Sequence, residues 1–148
     1  MAGVPVGRAF ADLMPGPERH EPGGSCIAVV ATDAPLLPHQ LKHLARRVPL
    51  GIGRTGGIGA NSSGDIFIAF STANPGAWSR SAIVRLDMLP NDLMDPLLRA
   101  TVQATEEAVI NALVAAETMT GRDGNTAHAI PHDRLRETLR SYGRLIEP

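Results

Sequence analysis

The sequence predicts a mixed α/β fold in a single compact unit. Two short apolar runs, residues 26–31 and 66–71, have the length and the β-branched content typical of buried strands. Apolar residues recur at helical spacing between these runs and again after residue 90. The chain has 148 residues, of which 43% are hydrophobic and 20% charged, and this balance is typical of one globular domain rather than of a disordered chain.

In the first half of the chain, predicted strands and a predicted helix are separated by segments rich in proline and glycine. Residues 1–24 are rich in proline and glycine, which leaves few consecutive backbone donors, so we expect an extended lead-in. A first strand follows at residues 26–31, and a first helix begins at Pro38 and is stopped by Pro49. Residues 51–64, GIGRTGGIGANSSG, have neither periodicity nor bulk and are predicted to form a loop. The second strand comes next.

The second half is predicted to be mainly helical. Residues 81–86 are predicted to form a third strand. The longest helical pattern then follows, capped by Asn91 or Asp92, with Leu, Thr and Ala along one face as far as Gly121. The last predicted elements are a short strand at residues 126–130 and a helix at residues 131–142.

The composition argues against several classes of function. Lys and Arg total 14 against 15 Asp and Glu, so the net charge of −1 provides no basic field for nucleic acid or anionic lipid. Aromatic residues make up 3% of the chain, too few to stack many bases. The single cysteine cannot form an internal disulfide, and no segment matches a signal peptide or a membrane span. We expect no nucleic-acid or membrane partner and a cytoplasmic protein, unless a longer precursor carries an export signal.

Residues 51–56, GIGRTG, match the spacing of the glycine-rich fingerprint of dinucleotide-binding proteins. That fingerprint must follow a strand and open a helix, so that the pyrophosphate meets a helix N-terminus. Here the motif follows a predicted helix and leads towards a strand, so we interpret the glycines as turn-forming residues. A nucleotide-binding α/β module is therefore the weakest of the alternatives.

Two pairs of histidines are candidates for a metal site. His39 and His43 are four residues apart on the first predicted helix, and His128 and His132 form a second pair. The first pair lacks the intervening glutamate of the metalloprotease motif, and a protein metal site usually needs three ligands. We interpret these histidines as solvated or capping residues, and we predict neither a metal nor an organic cofactor.

Two short segments carry side chains suited to nucleophilic catalysis. Ser25 lies between Gly24 and the first strand. The strand would fix the position of the serine hydroxyl, and the neighbouring glycine has no side chain to block access to it. Ser63 and Asp65 lie two residues apart just before the second strand, so their side chains face the same side of an extended backbone. Taken alone, each segment is more simply explained as a strand boundary or an Asx-type turn.

Three longer runs of the sequence match a known pattern: GSCIAVVATDAPLLPHQLKHLARRVPLGIGRTGG, NSSGDIFIAFSTAN and AETMTGRDGNTAHAIPHDRL. Through these runs the sequence resembles the carboxy-terminal part of the DmpA-type aminopeptidases. This family is also called the P1 or S58 peptidases, and it includes L-aminopeptidase/D-esterases and β-aminopeptidases. The similarity extends from about Gly3 onward and is densest from Ser25 to Tyr142.

The resemblance implies a precursor that cleaves itself between Gly24 and Ser25. Ser25 would then be an N-terminal nucleophile, and the family's supporting serine and acid carry over onto Ser63 and Asp65. The released α-amine, with an ordinary pKa of about 7.7–8.0, would accept the hydroxyl proton directly or through water. The implied substrates are short peptides, amino-acid amides or esters, hydrolysed through an acyl-Ser25 intermediate without a cofactor. Ser62 stands where the family usually has glycine, and some members carry Glu in place of Asp65. The loop conformation and the distance that the acidic side chain spans can therefore differ between this chain and other members.

The resemblance also implies a larger assembly. The family fold is a four-layer αββα sandwich similar to the N-terminal-nucleophile hydrolases, and this chain is expected to form a portion of it. Residues 1–24 would be the tail of the first (α) segment and residues 25–148 the nucleophile-bearing (β) subunit. The α segment supplies oxyanion-hole and pocket residues, so we expect it as a missing partner, and we expect the αβ units to form homo-oligomers. The alternative is a non-catalytic remnant or subunit that binds a separately encoded first half.

Overall fold

The computed structural model describes residues 1–13, 24–80 and 82–146. The chain divides into two compact units, so the prediction of a single unit is wrong; one is made of Met1–Glu21 with Ala108–Pro148 and the other of Pro22–Glu107. Short 3-10 turns cover Ala11–Leu13, Asn91–Leu93 and Arg122–Gly124. The helices and strands are α1 (Val6–Ala9), β1 (Ile27–Thr32), α2 (Pro38–Ala45), α3 (Val48–Arg54), β2 (Ile66–Ser71), α4 (Asp95–Ala115), β3 (Met119–Thr120), β4 (Thr126–Ala127) and α5 (His132–Ser141). The predicted mixed α/β class is confirmed.

The strands β1 and β2 form a parallel pair, in register from Ile27 opposite Ile66 to Thr32 opposite Ser71. Parallel neighbours need a crossover connection, and α2 and α3 provide it. Both predicted strands are confirmed, β1 with a shift of one residue. The register places the residues that precede the two strands side by side.

The two faces of this sheet have different surroundings. One face contributes Val30 and Ala69 to an apolar core around Leu36, Leu44 and Met94. On the other face, which we call the open sheet face, each large apolar residue is 44 to 71% exposed to solvent. The strands were predicted to be buried, and for this face of the sheet the prediction is wrong. The open sheet face consists of Ile27, Val29, Ile66, Ile68 and Phe70.

Gln40 holds α2 against the segment that precedes α4. Its side chain is 1% exposed, and its Oε1 accepts a hydrogen bond of 3.1 Å from the backbone N–H of Leu37. Its Nε2 donates to the carbonyl of Leu89 at 2.7 Å and to Oδ1 of Asn91 at 2.8 Å. The buried amide is thus fully engaged, as a buried polar group must be. The predicted cap at Asn91 or Asp92 is wrong, because these residues form a 3-10 turn and α4 begins at Asp95.

The start of the glycine-rich stretch is helical and not a loop. Residues 51–54 belong to α3, which crosses α4 so closely that a Cβ on Gly51 would lie 2.5 Å from Cβ of Thr105. The same Cβ would lie 2.7 Å from the carbonyl oxygen of Val102. Gly56, with a φ of +104°, then turns the chain out of the helix. The motif therefore lacks the strand-to-helix turn of a dinucleotide site, and Gly51 serves the packing of two helices.

We predict that Gly51→Ala destabilises the protein by about 1–3 kcal/mol, because the added methyl group overlaps α4 backbone and side-chain atoms. Gly53→Ala is the matched control in the same helix, where an added Cβ meets no atom within 4 Å. That variant should be as stable as the parent or more stable by up to about 1 kcal/mol, since alanine favours helix. Urea denaturation followed by circular dichroism measures both. Equal stability of the two variants would contradict the proposed contact.

The N-terminal residues are not extended as expected. Residues 1–13 contain α1 and a 3-10 turn, and Val4, Val6 and Phe10 are buried in a cluster with Leu135 of α5. Residues 14–23, the rest of the predicted lead-in, lie outside the described residues. The apolar cluster explains the difference, because tertiary contacts order a segment whose local sequence favours irregular backbone.

Three further elements differ from, or refine, the sequence prediction. Residues 82–86 are not a strand, and Ser81 lies outside the described residues. The side chain of Asn74 instead binds the backbone at the end of this segment. It accepts a hydrogen bond from the N–H of Asp87 at 3.0 Å and donates one to the carbonyl of Asp87 at 3.1 Å. The helix α4 ends at Ala115, earlier than predicted. The short strand β4 pairs with β3 in antiparallel fashion, and the predicted last helix is confirmed as α5.

In the part of the chain that the structure describes, none of the helices has both the length and the apolar character needed to cross a membrane.

Candidate active site

The predicted nucleophile and its predicted partners meet at the start of the parallel sheet. Ser25 precedes β1 by two residues, and Ser63 and Asp65 precede β2. The N–H of Ile66 donates to the carbonyl of Cys26 at 3.0 Å, so strand pairing begins directly beside these side chains. Two segments 39 residues apart in the sequence are therefore held together by the register of the sheet.

Asp65 is the centre of the hydrogen bonds in this cluster. Its Oδ1 accepts from the hydroxyl of Ser63 at 2.6 Å and from the backbone N–H of Cys26 at 2.8 Å. The Ser63 hydroxyl and, to a smaller extent, the Cys26 amide lower the pKa of Asp65 below its ordinary value of 3.8. The side chain is solvent-exposed and carries a negative charge at neutral pH. The acid thus ties Ser63 to the backbone immediately after Ser25.

Ser25 has a hydrogen-bond donor that sequence reasoning missed. The backbone N–H of Gly64 donates to Ser25 Oγ at 2.9 Å. A Cβ on Gly64 would lie 3.3 Å from this oxygen, so the glycine allows a close approach that a side chain would crowd. The signal available in the sequence was the glycine between Ser63 and Asp65, but its contact depends on the register of two distant strands.

The four residues predicted for the site are therefore adjacent in space or in sequence. Ser25 contacts the Ser63–Asp65 segment through Gly64, and Gly24, the predicted cleavage residue, is exposed next to Ser25. This arrangement can orient a serine hydroxyl, donate a hydrogen bond to its oxygen and place a carboxylate charge beside it.

The histidine pairs do not form part of this cluster. His39 and His43 are exposed on α2, and the Nε2 of His132 lies 2.8 Å from the carbonyl oxygen of Val114 near the end of α4. The latter contact fits the predicted capping role at a helix C-terminus. Within residues 1–13, 24–80 and 82–146, no three His, Cys, Asp or Glu side chains are grouped so that they could hold a metal ion.

Comparisons with known sequences give consistent matches. The sequence profile of Peptidase family S58 matches residues 1–127. The β-peptidyl aminopeptidase BapA of Sphingosinicella microcystinivorans is 52% identical over 123 residues, which are 82% of this chain and 31% of that protein. The BapA of Sphingosinicella xenopeptidilytica is 40% identical over an alignment of 155 positions, which covers 95% of this chain and 38% of that protein.

Solved structures share the fold. The L-aminopeptidase D-Ala-esterase/amidase from Ochrobactrum anthropi, a prototype for the serine aminopeptidases with a variant of the Ntn hydrolase fold, superposes with a TM-score of 0.86 at 49% identity. That match covers 99% of this chain and 40% of the other. The β-aminopeptidase of a Burkholderia species gives a TM-score of 0.80 at 39% identity, covering 99% and 40%. The chain spans about 31 to 40% of the length of these relatives, and the expected Ntn hydrolase fold is confirmed.

Proposed function

Because this chain belongs to peptidase family S58, we propose that it is the nucleophile-bearing part of a self-cleaving serine aminopeptidase. The observation that carries the proposal is the hydrogen-bonded cluster in which Gly64 contacts Ser25 Oγ and Asp65 holds Ser63 and the Cys26 amide. The cut would fall between Gly24 and Ser25. Residues 1–24 would then be the tail of the first segment, and residues 25–148 the catalytic subunit.

The first reaction is the cut itself. Ser25 Oγ attacks the carbonyl carbon of Gly24, the C–N bond breaks, and the hydroxyl proton passes to the Ser25 nitrogen. Water then hydrolyses the resulting ester, which leaves a carboxyl group on Gly24 and a free α-amine on Ser25. The Gly64 N–H supports this step, because a donor to Oγ stabilises the negative charge that develops there.

Substrate hydrolysis uses the amine that the cut creates. The amine takes the proton of Ser25 Oγ as the oxygen attacks the substrate carbonyl, and the departing amine of the substrate receives a proton in return. Water releases the acyl group from Ser25 in the second half of the cycle. The charge of Asp65 favours the protonated amine, and Ser63, fixed by Asp65, orients the nucleophile. Each step uses groups of the protein and water, so the proposal includes no metal or organic cofactor.

The open sheet face supports the need for a complementing segment. Ile27, Ile68 and Phe70 are among its members, and each exposes more than two fifths of its side chain. Continuous apolar strands are typical of sheets covered on both faces, and a contiguous exposed apolar surface marks an interaction site. We propose that the part of the protein that this chain does not span covers this face, and that the assembled αβ units form homo-oligomers.

The relatives and the chemistry of the site support a proposed substrate class. The relatives are a β-peptidyl aminopeptidase and an enzyme with L-aminopeptidase and D-Ala-esterase/amidase activity. An activated serine attacks both amide and ester carbonyls through an acyl intermediate. We therefore propose short peptides, amino-acid amides and amino-acid esters with a free amino group as substrates.

The test is to produce residues 1–148 together with the complementing segment of the Ochrobactrum relative. We expect the two to purify together, a fragment that begins at Ser25 in intact-mass analysis, and hydrolysis of amino-acid p-nitroanilides. A folded complex that is neither cut nor active would contradict the proposal and favour the non-catalytic binding subunit. A fragment beginning at Cys26 would also contradict it, because the thiol would then be the nucleophile.

A further inference from the structure

The N-terminal residues are held on α5 by a contact centred on Arg134. Its Nη1 and Nη2 donate to the two carboxylate oxygens of Asp12 at 2.8 and 2.7 Å. Nη2 also donates to the carbonyl oxygen of Ala9, and the guanidinium carbon lies 4.9 Å from the centre of the Phe10 ring. We call the group of Ala9, Phe10, Asp12 and Arg134 the clamp. The Arg134 side chain therefore contacts three residues of the N-terminal segment.

Apolar packing reinforces the clamp. Val4, Val6 and Phe10 are each at most 8% exposed, and they bury Leu135, the neighbour of Arg134 on α5. The helix α1 has four residues, a length at which a helix has no stability of its own in water. The conformation of residues 1–13 thus depends on their packing against α5.

The two sides of the clamp lie on opposite sides of the proposed cut. Ala9, Phe10 and Asp12 precede Gly24, and Arg134 follows it by more than a hundred residues. None of these contacts involves the peptide bond between residues 24 and 25. In the intact chain, covalent continuity keeps the segment at a high effective concentration near α5, and after a cut the contacts alone must do so.

We infer that the clamp keeps the N-terminal segment bound to α5 after the chain is cut, with Arg134 as its principal anchor. This inference rests on the proposed self-cleavage for its biological meaning. A bidentate guanidinium–carboxylate pair gives both energy and orientation, and the additional stacking on an aromatic ring favours arginine over lysine. The surface of α5 around Arg134 and Leu135 is then an interface between two separate chains, and its partner is the carboxy-terminal end of the preceding one.

The test cuts the chain without using Ser25. A recognition sequence for a specific protease replaces part of residues 14–23 in a Ser25→Ala background, and the cut protein is passed over a size-exclusion column. We expect the fragment that contains residues 1–13 to elute with the remainder. With Arg134→Ala we expect its dissociation constant to rise about tenfold, since the pair is partly solvent-exposed and screened. Arg134→Lys should fall between the two.

The matched control is Arg136→Ala on the same helix. Arg136 pairs with Asp133 within α5 and is not one of the residues of the clamp. Asp12→Asn tests the same pair from the other chain and should weaken retention in the same direction as Arg134→Ala. Loss of the fragment from the unsubstituted protein, or equal loss from the Arg136 and Arg134 variants, would overturn the inference. Because the added protease makes the cut, this result is separate from the intact-mass test of cleavage at Ser25.

Discussion

The Ser25→Ala variant, produced with its complementing segment, is expected to remain one uncut chain and to lose p-nitroanilide hydrolysis by roughly 10³-fold or more. Alanine removes the oxygen that accepts the Gly64 N–H and that attacks both carbonyls in the proposed cycle. The cut and the turnover should therefore disappear together. Intact-mass analysis and a progress curve on the same preparation measure the two losses.

Cys26→Ala is the matched control for this prediction. Cys26 is the next residue and carries the stronger nucleophile of the two, but its contribution to the cluster is its backbone N–H, which alanine retains. We expect this variant to be cut before Ser25 and to keep its turnover. Ser25→Cys keeps a nucleophile at the same place and should still be cut. If Cys26→Ala abolished cleavage while Ser25→Ala did not, the thiol would replace the hydroxyl in the mechanism.

Local sequence patterns predicted the parts of the site that depend on neighbours in the chain. The spacing of Ser63 and Asp65 indicated that both side chains face one side, and they are hydrogen-bonded at 2.6 Å. The two apolar runs were identified correctly as strands because their length and their β-branched content are local properties of the sequence. The contact of Gly64 with Ser25 was not predictable in this way, since it arises only when two strands 39 residues apart pair in one register.

Elements formed through tertiary contacts were the ones that the sequence did not predict. The prolines and glycines of the lead-in favour extended backbone, yet Phe10 is buried against α5 and Arg134 stacks on its ring. The glycine-rich residues 51–54 lack bulk, yet they are helical where α3 needs a close approach to α4. In both cases the conformation is stabilised by packing against a helix more than fifty residues away in the sequence, which a local sequence pattern does not indicate.

Asp65→Asn separates a catalytic charge from an ordinary turn residue. Asparagine retains an oxygen that can accept from Ser63 and from the Cys26 amide, but it removes the negative charge. If the charge supports the protonated amine of Ser25, kcat/KM on an amino-acid p-nitroanilide should fall by about 10- to 150-fold. The melting temperature should change little, because the hydrogen-bonding pattern of the turn is kept. Ser63→Ala should lower turnover in the same direction.

The pH dependence of turnover is a second, independent test of the role of the Asp65 carboxylate. The pKa of Asp65 is lowered in the folded protein, mainly by the Ser63 hydroxyl, so its charged form is fully present above the ordinary value of 3.8 and is lost as the pH falls through the lowered pKa. The deficit of Asp65→Asn should therefore persist from pH 5 upward. In Ser63→Ala, the pKa of Asp65 measured by NMR should rise towards its ordinary value, because the largest cause of the shift has been removed.

Asp65→Glu completes this series as the conservative variant. It restores the charge with a longer side chain, so it should recover turnover well above that of Asp65→Asn if charge is what the site requires. A turn residue would show the opposite order, since asparagine replaces aspartate in Asx turns with little cost and glutamate does not. Turnover of Asp65→Asn close to that of the parent, in a complex that has been cut before Ser25, would therefore assign Asp65 to the loop and leave the amine of Ser25 without an acidic partner.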